Sequence, residues 1–169
     1  MTPKSAGKAE SEPFRILFVC TGNTCRSPLA AAIADAALAE RKWKHVEVRS
    51  AGIAAGEGLP ASDGAVRVGR ARGVDLSRHE STPLTEELVE WADLVLTMAP
   101  HHQHRVKQLG GGERATLLTA FAAGPDGPAM EQSVLDPIGG EDVVYDATFA
   151  ELKELIHGVL ARLEPILSP

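Results

Sequence analysis

Two cysteines, one arginine and one aspartate stand out in this sequence for the chemistry their settings allow. Cys20 opens the run Cys20-Thr21-Gly22-Asn23-Thr24-Cys25-Arg26-Ser27-Pro28. A loop of this kind, ending at a helix start, can turn its backbone N–H groups onto one point. The helix N-terminus adds partial positive charge there. Gly22 lets the backbone approach a ligand closely. Arg26 supplies a planar fork of donors that matches two phosphate oxygens. Residues 21–27 therefore read as a cradle for a tetrahedral oxyanion. A Walker-type loop is excluded, because no Gly-Lys-Ser/Thr closes the run. Donors that attract phosphate also stabilise a thiolate, so Cys20 is expected to attack phosphorus and form a phosphocysteine. Taken alone, Cys20 could equally be a small buried hydrophobe at a strand end.

The elements that must position these groups follow from the hydrophobic pattern. Phe14–Cys20 is almost continuously apolar, which suits a strand buried on both faces of a parallel sheet. Ser27 is a candidate helix cap and Pro28 an early helical residue, followed by an Ala-rich helix to Arg41. Val46–Ser50 reads as a second strand, 61–72 as a helix ended by Gly73, and 85–92 as a helix capped by Thr85. Asp93–Met98 is a third strand, Pro100–Leu109 a helix, and Ala115–Leu118 a fourth strand. Residues 124–140 read as loop. Tyr145–Leu163 carries apolar residues at helical spacing, a stripe expected to pack on the core. This order predicts a single α/β domain with a parallel sheet and a ligand site beyond the strands' carboxyl ends. Residues 1–12 are small and charged and read as a disordered extension, with the domain covering 13–169.

The 169 residues carry a formal charge of −6 and only two cysteines. That balance argues against a nucleic-acid or anionic-membrane surface. It also argues against a disulfide scaffold. No run approaches a membrane span, and the first twelve residues hold no secretory core, so a cytoplasmic protein is expected. His101, His102 and His104 point different ways on a helix and read as a solvated face, so no metal site is expected. Tyr145, the one tyrosine, is assigned to packing.

The string Val19–Pro28 resembles the phosphate loop of the low-molecular-weight protein phosphatases. The likeness runs from about residue 14 onward. It includes Arg49-Ser50-Ala51-Gly52, the segment 92–98, and Leu135-Asp136-Pro137-Ile138-Gly139-Gly140. It implies a four-stranded parallel sheet with helices on both faces, and a monomer without cofactor acting on phosphorylated proteins. It assigns Cys20 as nucleophile and Arg26 as phosphate clamp. Asp136 becomes the acid that protonates the leaving group and later activates water. Asn23, Ser27, Ser50 and His79 resemble the network that shapes the loop, with Ser27 donating to the Cys20 sulfur. Cys25 matches a cysteine that can form a reversible disulfide with the nucleophile. Arsenate reductases share the fold, but need a further cysteine beyond the loop.

Thr24 stands where tyrosine phosphatases of the family carry a bulky aliphatic residue. With Pro83–Leu88, it resembles the bacterial protein-arginine phosphatases. A hydroxyl there can bond a water or a guanidinium edge. The expected pocket walls, 53–59 and the residues after Pro137, hold no aromatic, as a phosphotyrosine ring would want. Ile138 departs from the aromatic that the arginine phosphatases carry after Asp-Pro. Thr24 and Ile138 are thus the expected specificity residues. Phosphoarginine is the favoured substrate, phosphotyrosine the alternative, and a non-catalytic phosphate-binding or redox module the rival of a different class.

Overall fold

The computed structural model describes residues 12–127 and 132–167. The extension expected over residues 1–12 lies outside these, save for Glu12. Four parallel strands, β1 (Phe14–Cys20), β2 (Val46–Gly52), β3 (Leu94–Thr97) and β4 (Ala115–Leu117), form one sheet in the order β2-β1-β3-β4. The helices are α1 (Arg26–Arg41), α2 (Asp63–Ala71), α3 (Glu86–Trp91), α4 (Pro100–Gln108), α5 (Leu118–Ala123) and α6 (Asp142–Leu167). The chain leaves β1 toward β2 on one side and returns to β3 on the other. The switch point therefore falls at the end of β1, beside the loop that carries the cysteines.

Alternation along β1 builds two cores, because successive side chains point to opposite faces of a strand. Phe14, Ile16, Phe18 and Cys20 face α1, α5 and the stripe Phe149, Leu152, Ile156, Val159, Leu160 and Leu163 of α6. Leu17 and Val19 face Val89 of α3, Val106 of α4, and Ala51, Val95 and Ala115. Apart from the half-buried Arg15, both faces of β1 are buried, as its nearly continuous apolar run predicts. The C-terminal stripe is core packing, also as expected.

Several boundaries differ. Cys25, not Ser27, is the N-cap of α1, and Ser27 is already helical. Thr85 does cap α3, its Oγ1 accepting from Leu88 N at 3.1 Å. Strand β4 stops at Leu117, and the unforeseen α5 begins at Leu118. Two turns were too little length for a periodic signal. Helix α6 runs longer than its apolar stripe, and its early residue Tyr145 packs on Gly64 of α2, where a Cβ would come within 2.3 Å of the ring.

Gly52 is where the fold meets the site. A Cβ there would lie 2.4 Å from the Thr21 carbonyl oxygen and 2.9 Å from Asn23 N. Strand β2 can end against the loop only without a side chain. Gly52→Ala is expected to displace the loop, costing about 1–3 kcal/mol by overpacking. Denaturant unfolding together with phosphate affinity checks this: both should fall, and an unchanged affinity would show that the loop does not depend on this contact.

Candidate active site

The loop between β1 and α1 is shaped from outside. Its carbonyls are taken by neighbours: Cys20 O by Ile53 N at 3.0 Å, Thr21 O by Ala54 N at 2.9 Å, and Thr24 O by Ser62 N at 2.9 Å. His79 Nε2 donates to Asn23 O at 2.7 Å. In a trans peptide the C=O and the next N–H point in opposite directions. No cis bond occurs among the described residues, so the amides of Thr21, Gly22, Thr24 and Cys25 turn away from those neighbours, toward the loop's interior.

Asn23 locks this shape. Its φ of 56° is left-handed, a conformation that asparagine tolerates better than most side chains. The fully buried amide donates to Ser27 Oγ at 2.7 Å and Ser50 Oγ at 3.0 Å, and accepts from Thr82 N at 2.9 Å. Ser27 Oγ lies 2.9 Å from Cys20 Sγ. Asn23 already donates to that oxygen, so the serine hydrogen is free for the sulfur, with Ala51 O the weaker alternative at 3.4 Å. Cys20 and Cys25 are both free thiols. Helix α1 has no acidic residue in its first turn to offset the positive end of its dipole.

Arg26 is only 5% exposed. One nitrogen, Nη1, donates to Val134 O at 3.1 Å; the other, Nη2, reaches Thr21 Oγ1 at 3.4 Å and Asp136 Oδ2 at 3.5 Å. Asp136 comes from the loop before α6, and its Oδ1 accepts from Ile138 N at 3.1 Å. Cys20, Thr21, Gly22, Thr24, Cys25, Arg26, Asp136 and Ile138 line one cavity of about 180 Å³. The arrangement joins a buried thiol, inward amides, a held guanidinium and a carboxyl around a space that would suit a tetrahedral anion. Nothing in that set calls for a metal, and no cluster of metal-ligating side chains occurs among the described residues.

The sequence of this chain matches the family described as low molecular weight phosphotyrosine protein phosphatase over residues 15–166. The chain belongs to that family. It is 39% identical over 154 residues to the protein-arginine-phosphatase of Geobacillus stearothermophilus, covering 90% of this chain and 97% of the relative. A probable low molecular weight protein-tyrosine-phosphatase of Ralstonia solanacearum, EpsP, is 44% identical over 152 residues, 89% of this chain and 97% of its own. The fold matches a YwlE arginine phosphatase mutant with a phosphorylated active-site serine, at a TM-score of 0.79 and 39% identity over 90% of this chain and 97% of that one. It matches the low molecular weight protein tyrosine phosphatase of T. tengcongensis at 0.80 and 40%, covering 89% and 99%. The protein is thus a low-molecular-weight cysteine-based phosphatase with that family's four-stranded parallel fold.

Of the residues singled out from the sequence, Cys20, Thr21, Gly22, Thr24, Cys25, Arg26, Asp136 and Ile138 line this cavity, while Ser27, Ser50 and His79 bond Asn23 behind it. The histidine reading needs correction. His101 and His104 are exposed, but His102 is fully buried. Its Nε2 lies 2.8 Å from Thr21 Oγ1. Burial, with the positive charges of His101 and Arg26 adding to it, pushes its pKa down to about 3. The overlooked signal was helical phase: His102 precedes buried Val106 by one turn. Ser62 and Tyr145 were also missed as partners of Cys25, whose Sγ lies 3.1 Å from Ser62 Oγ and 3.6 Å from Tyr145 OH.

Asn23→Ala removes three hydrogen bonds from a left-handed position. A loss of about 2–4 kcal/mol is expected at roughly 1 kcal/mol per bond, together with a large fall in kcat. Urea unfolding and turnover of an aryl phosphate check both. A variant that lost stability alone would separate the asparagine from the loop's shape.

Proposed function

We propose that this phosphatase hydrolyses phosphoarginine in proteins, using Cys20, Arg26 and Asp136. The carrying observation is the lining of the cavity: it holds Thr24, Asp136 and Ile138 and, among the described residues, no aromatic side chain. A phosphotyrosine ring gains most from aromatic walls. A guanidino group gains instead from a carboxyl group and a hydroxyl as polar partners, and Asp136 and Thr24 supply them. The likeness to protein-arginine-phosphatases over nine-tenths of the chain supports the same substrate.

In the proposed reaction the phosphoryl group sits on the loop amides, with two of its oxygens on Arg26. The Cys20 thiolate attacks phosphorus in line, steadied by the Ser27 hydroxyl. The P–N bond breaks, and protonated Asp136 gives its proton to the departing guanidino nitrogen. The phosphocysteine is then attacked by water. Asp136, now a carboxylate, takes the water's proton, the S–P bond breaks, and phosphate leaves with Cys20 again a thiolate. Electrostatic stabilisation falls to groups already oriented before reaction. Cys25, lining the same cavity, is proposed to trap oxidised Cys20 as a disulfide that thiols reverse.

The deciding comparison is kcat/KM on phosphoarginine and phosphotyrosine peptides, for the native protein and Thr24→Ile. Preference for phosphoarginine, moving toward phosphotyrosine in Thr24→Ile, is the expected result. Native preference for phosphotyrosine would overturn the substrate assignment and leave the cysteine chemistry standing. Cys20→Ser is expected to lose turnover while still binding inorganic phosphate by calorimetry. Retained turnover would remove Cys20 as nucleophile.

A further inference from the structure

The pair His102–Thr21 joins α4 to the phosphate loop. His102 is fully buried. Its Nε2 is 2.8 Å from Thr21 Oγ1, and its Nδ1 is buried with no hydrogen-bond partner among the described residues. Held neutral, the ring carries one N–H, and that hydrogen sits on either nitrogen. Were it on Nδ1, a buried donor would be orphaned, which folded proteins rarely tolerate. With the hydrogen on Nε2, Nδ1 keeps only an unused lone pair, and the ring donates to Thr21.

This choice decides what Thr21 offers to the cavity it lines. A hydroxyl has two acceptor sites and one hydrogen. Arg26 Nη2 can only donate, and it reaches the same oxygen at 3.4 Å. With His102 also donating, both acceptor sites are filled and the Thr21 hydrogen has no role except outward. In the opposite tautomer Thr21 would spend its hydrogen on the histidine. No donor would then remain on its oxygen for an incoming phosphate.

We propose that His102 is a positioning residue: as the Nε2–H tautomer it makes the Thr21 hydroxyl an obligate donor to an oxygen of the bound phosphoryl group. This rests on the phosphoryl site described above, but not on which phosphoprotein is the substrate. Thr21 would then act beside the loop amides, and α4 would set its direction without touching phosphate.

Two measurements test it. Two-bond ¹⁵N–¹H correlation spectra of the native protein at neutral pH should show His102 protonated at Nε2 and bare at Nδ1; the reverse pattern overturns the proposal, whatever any variant does. Second, inorganic phosphate affinity is measured by calorimetry, independent of turnover, for Thr21→Val, His102→Leu and their double variant. Thr21→Val should weaken binding by about tenfold to a hundredfold, the range for one hydrogen bond to a charged group, and His102→Leu by a smaller but measurable factor, because the hydroxyl stays while its direction is no longer set. The double variant should be no weaker than Thr21→Val, because the two act through one hydrogen. His102→Gln, which keeps an N–H near the same place, should recover part of the loss. Additive losses, or unchanged phosphate binding in His102→Leu, would overturn the proposal. If His102→Leu fails to fold, the tautomer spectrum decides alone. Loss of phosphoarginine turnover with these results intact would fault the substrate reading and not the His102 assignment.

Discussion

The site depends on carbonyls being held away from it. A loop of seven residues beside a nucleophilic sulfur would present as many oxygens as N–H groups if left to itself. Here the oxygens of Cys20, Thr21, Asn23 and Thr24 are engaged by Ile53, Ala54, His79 and Ser62. These partners sit after β2, at the start of α2, and in the segment before α3. Peptide planarity then turns the matching amides inward without further help. An anion site is thus the complement of an outer shell of hydrogen bonds. The same shell explains why the end of β2 must press so closely that Gly52 has no room for a side chain.

A second consequence concerns burial. Asn23, Arg26 and Ser27 are polar or charged and nearly inaccessible. Burying such groups costs several kcal/mol unless each finds a partner. Asn23 uses both ends of its amide, and Ser27 both accepts and donates. Arg26 anchors one nitrogen on a backbone carbonyl and keeps the other toward the cavity. The network is closed except on the side where a phosphoryl group would enter. A rigid, low-dielectric cradle of this kind needs little reorganisation when charge develops on phosphorus.

The legible part of this structure was the part encoded by neighbours in sequence. The apolar run 14–20 and the contiguous loop 20–27 carry the nucleophile, the cradle and the helix dipole within fourteen residues. Both cores follow from the two faces of β1. What escaped was set by tertiary contact. Helix α5 has no capping signal and only two turns. His102 has two exposed histidines close by, at 101 and 104, and its burial follows from the packing of α4 on β3 and β4. The partnership of Cys25 with Tyr145 spans 120 residues and depends on Gly64 admitting a ring. No spacing rule reaches that far.

The two halves of the site differ in kind. The nucleophile half is local in sequence, buried and multiply bonded. The carboxyl half arrives from 110 residues away, on a loop whose Asp136 side chain is 41% exposed. The Arg26 side chain bridges them, through Val134 O and a long 3.5 Å contact to Asp136. An ion pair that exposed and that long contributes little stability by itself. Its value lies in what replaces it. A phosphoryl oxygen reaching Arg26 Nη2 competes with the carboxylate for the same donor. In the proposed reaction, binding fixes the phosphorus in the cradle and frees Asp136 from Arg26. The rigid half thus forms the anion cradle, and the loosely tethered half brings a carboxyl to its rim.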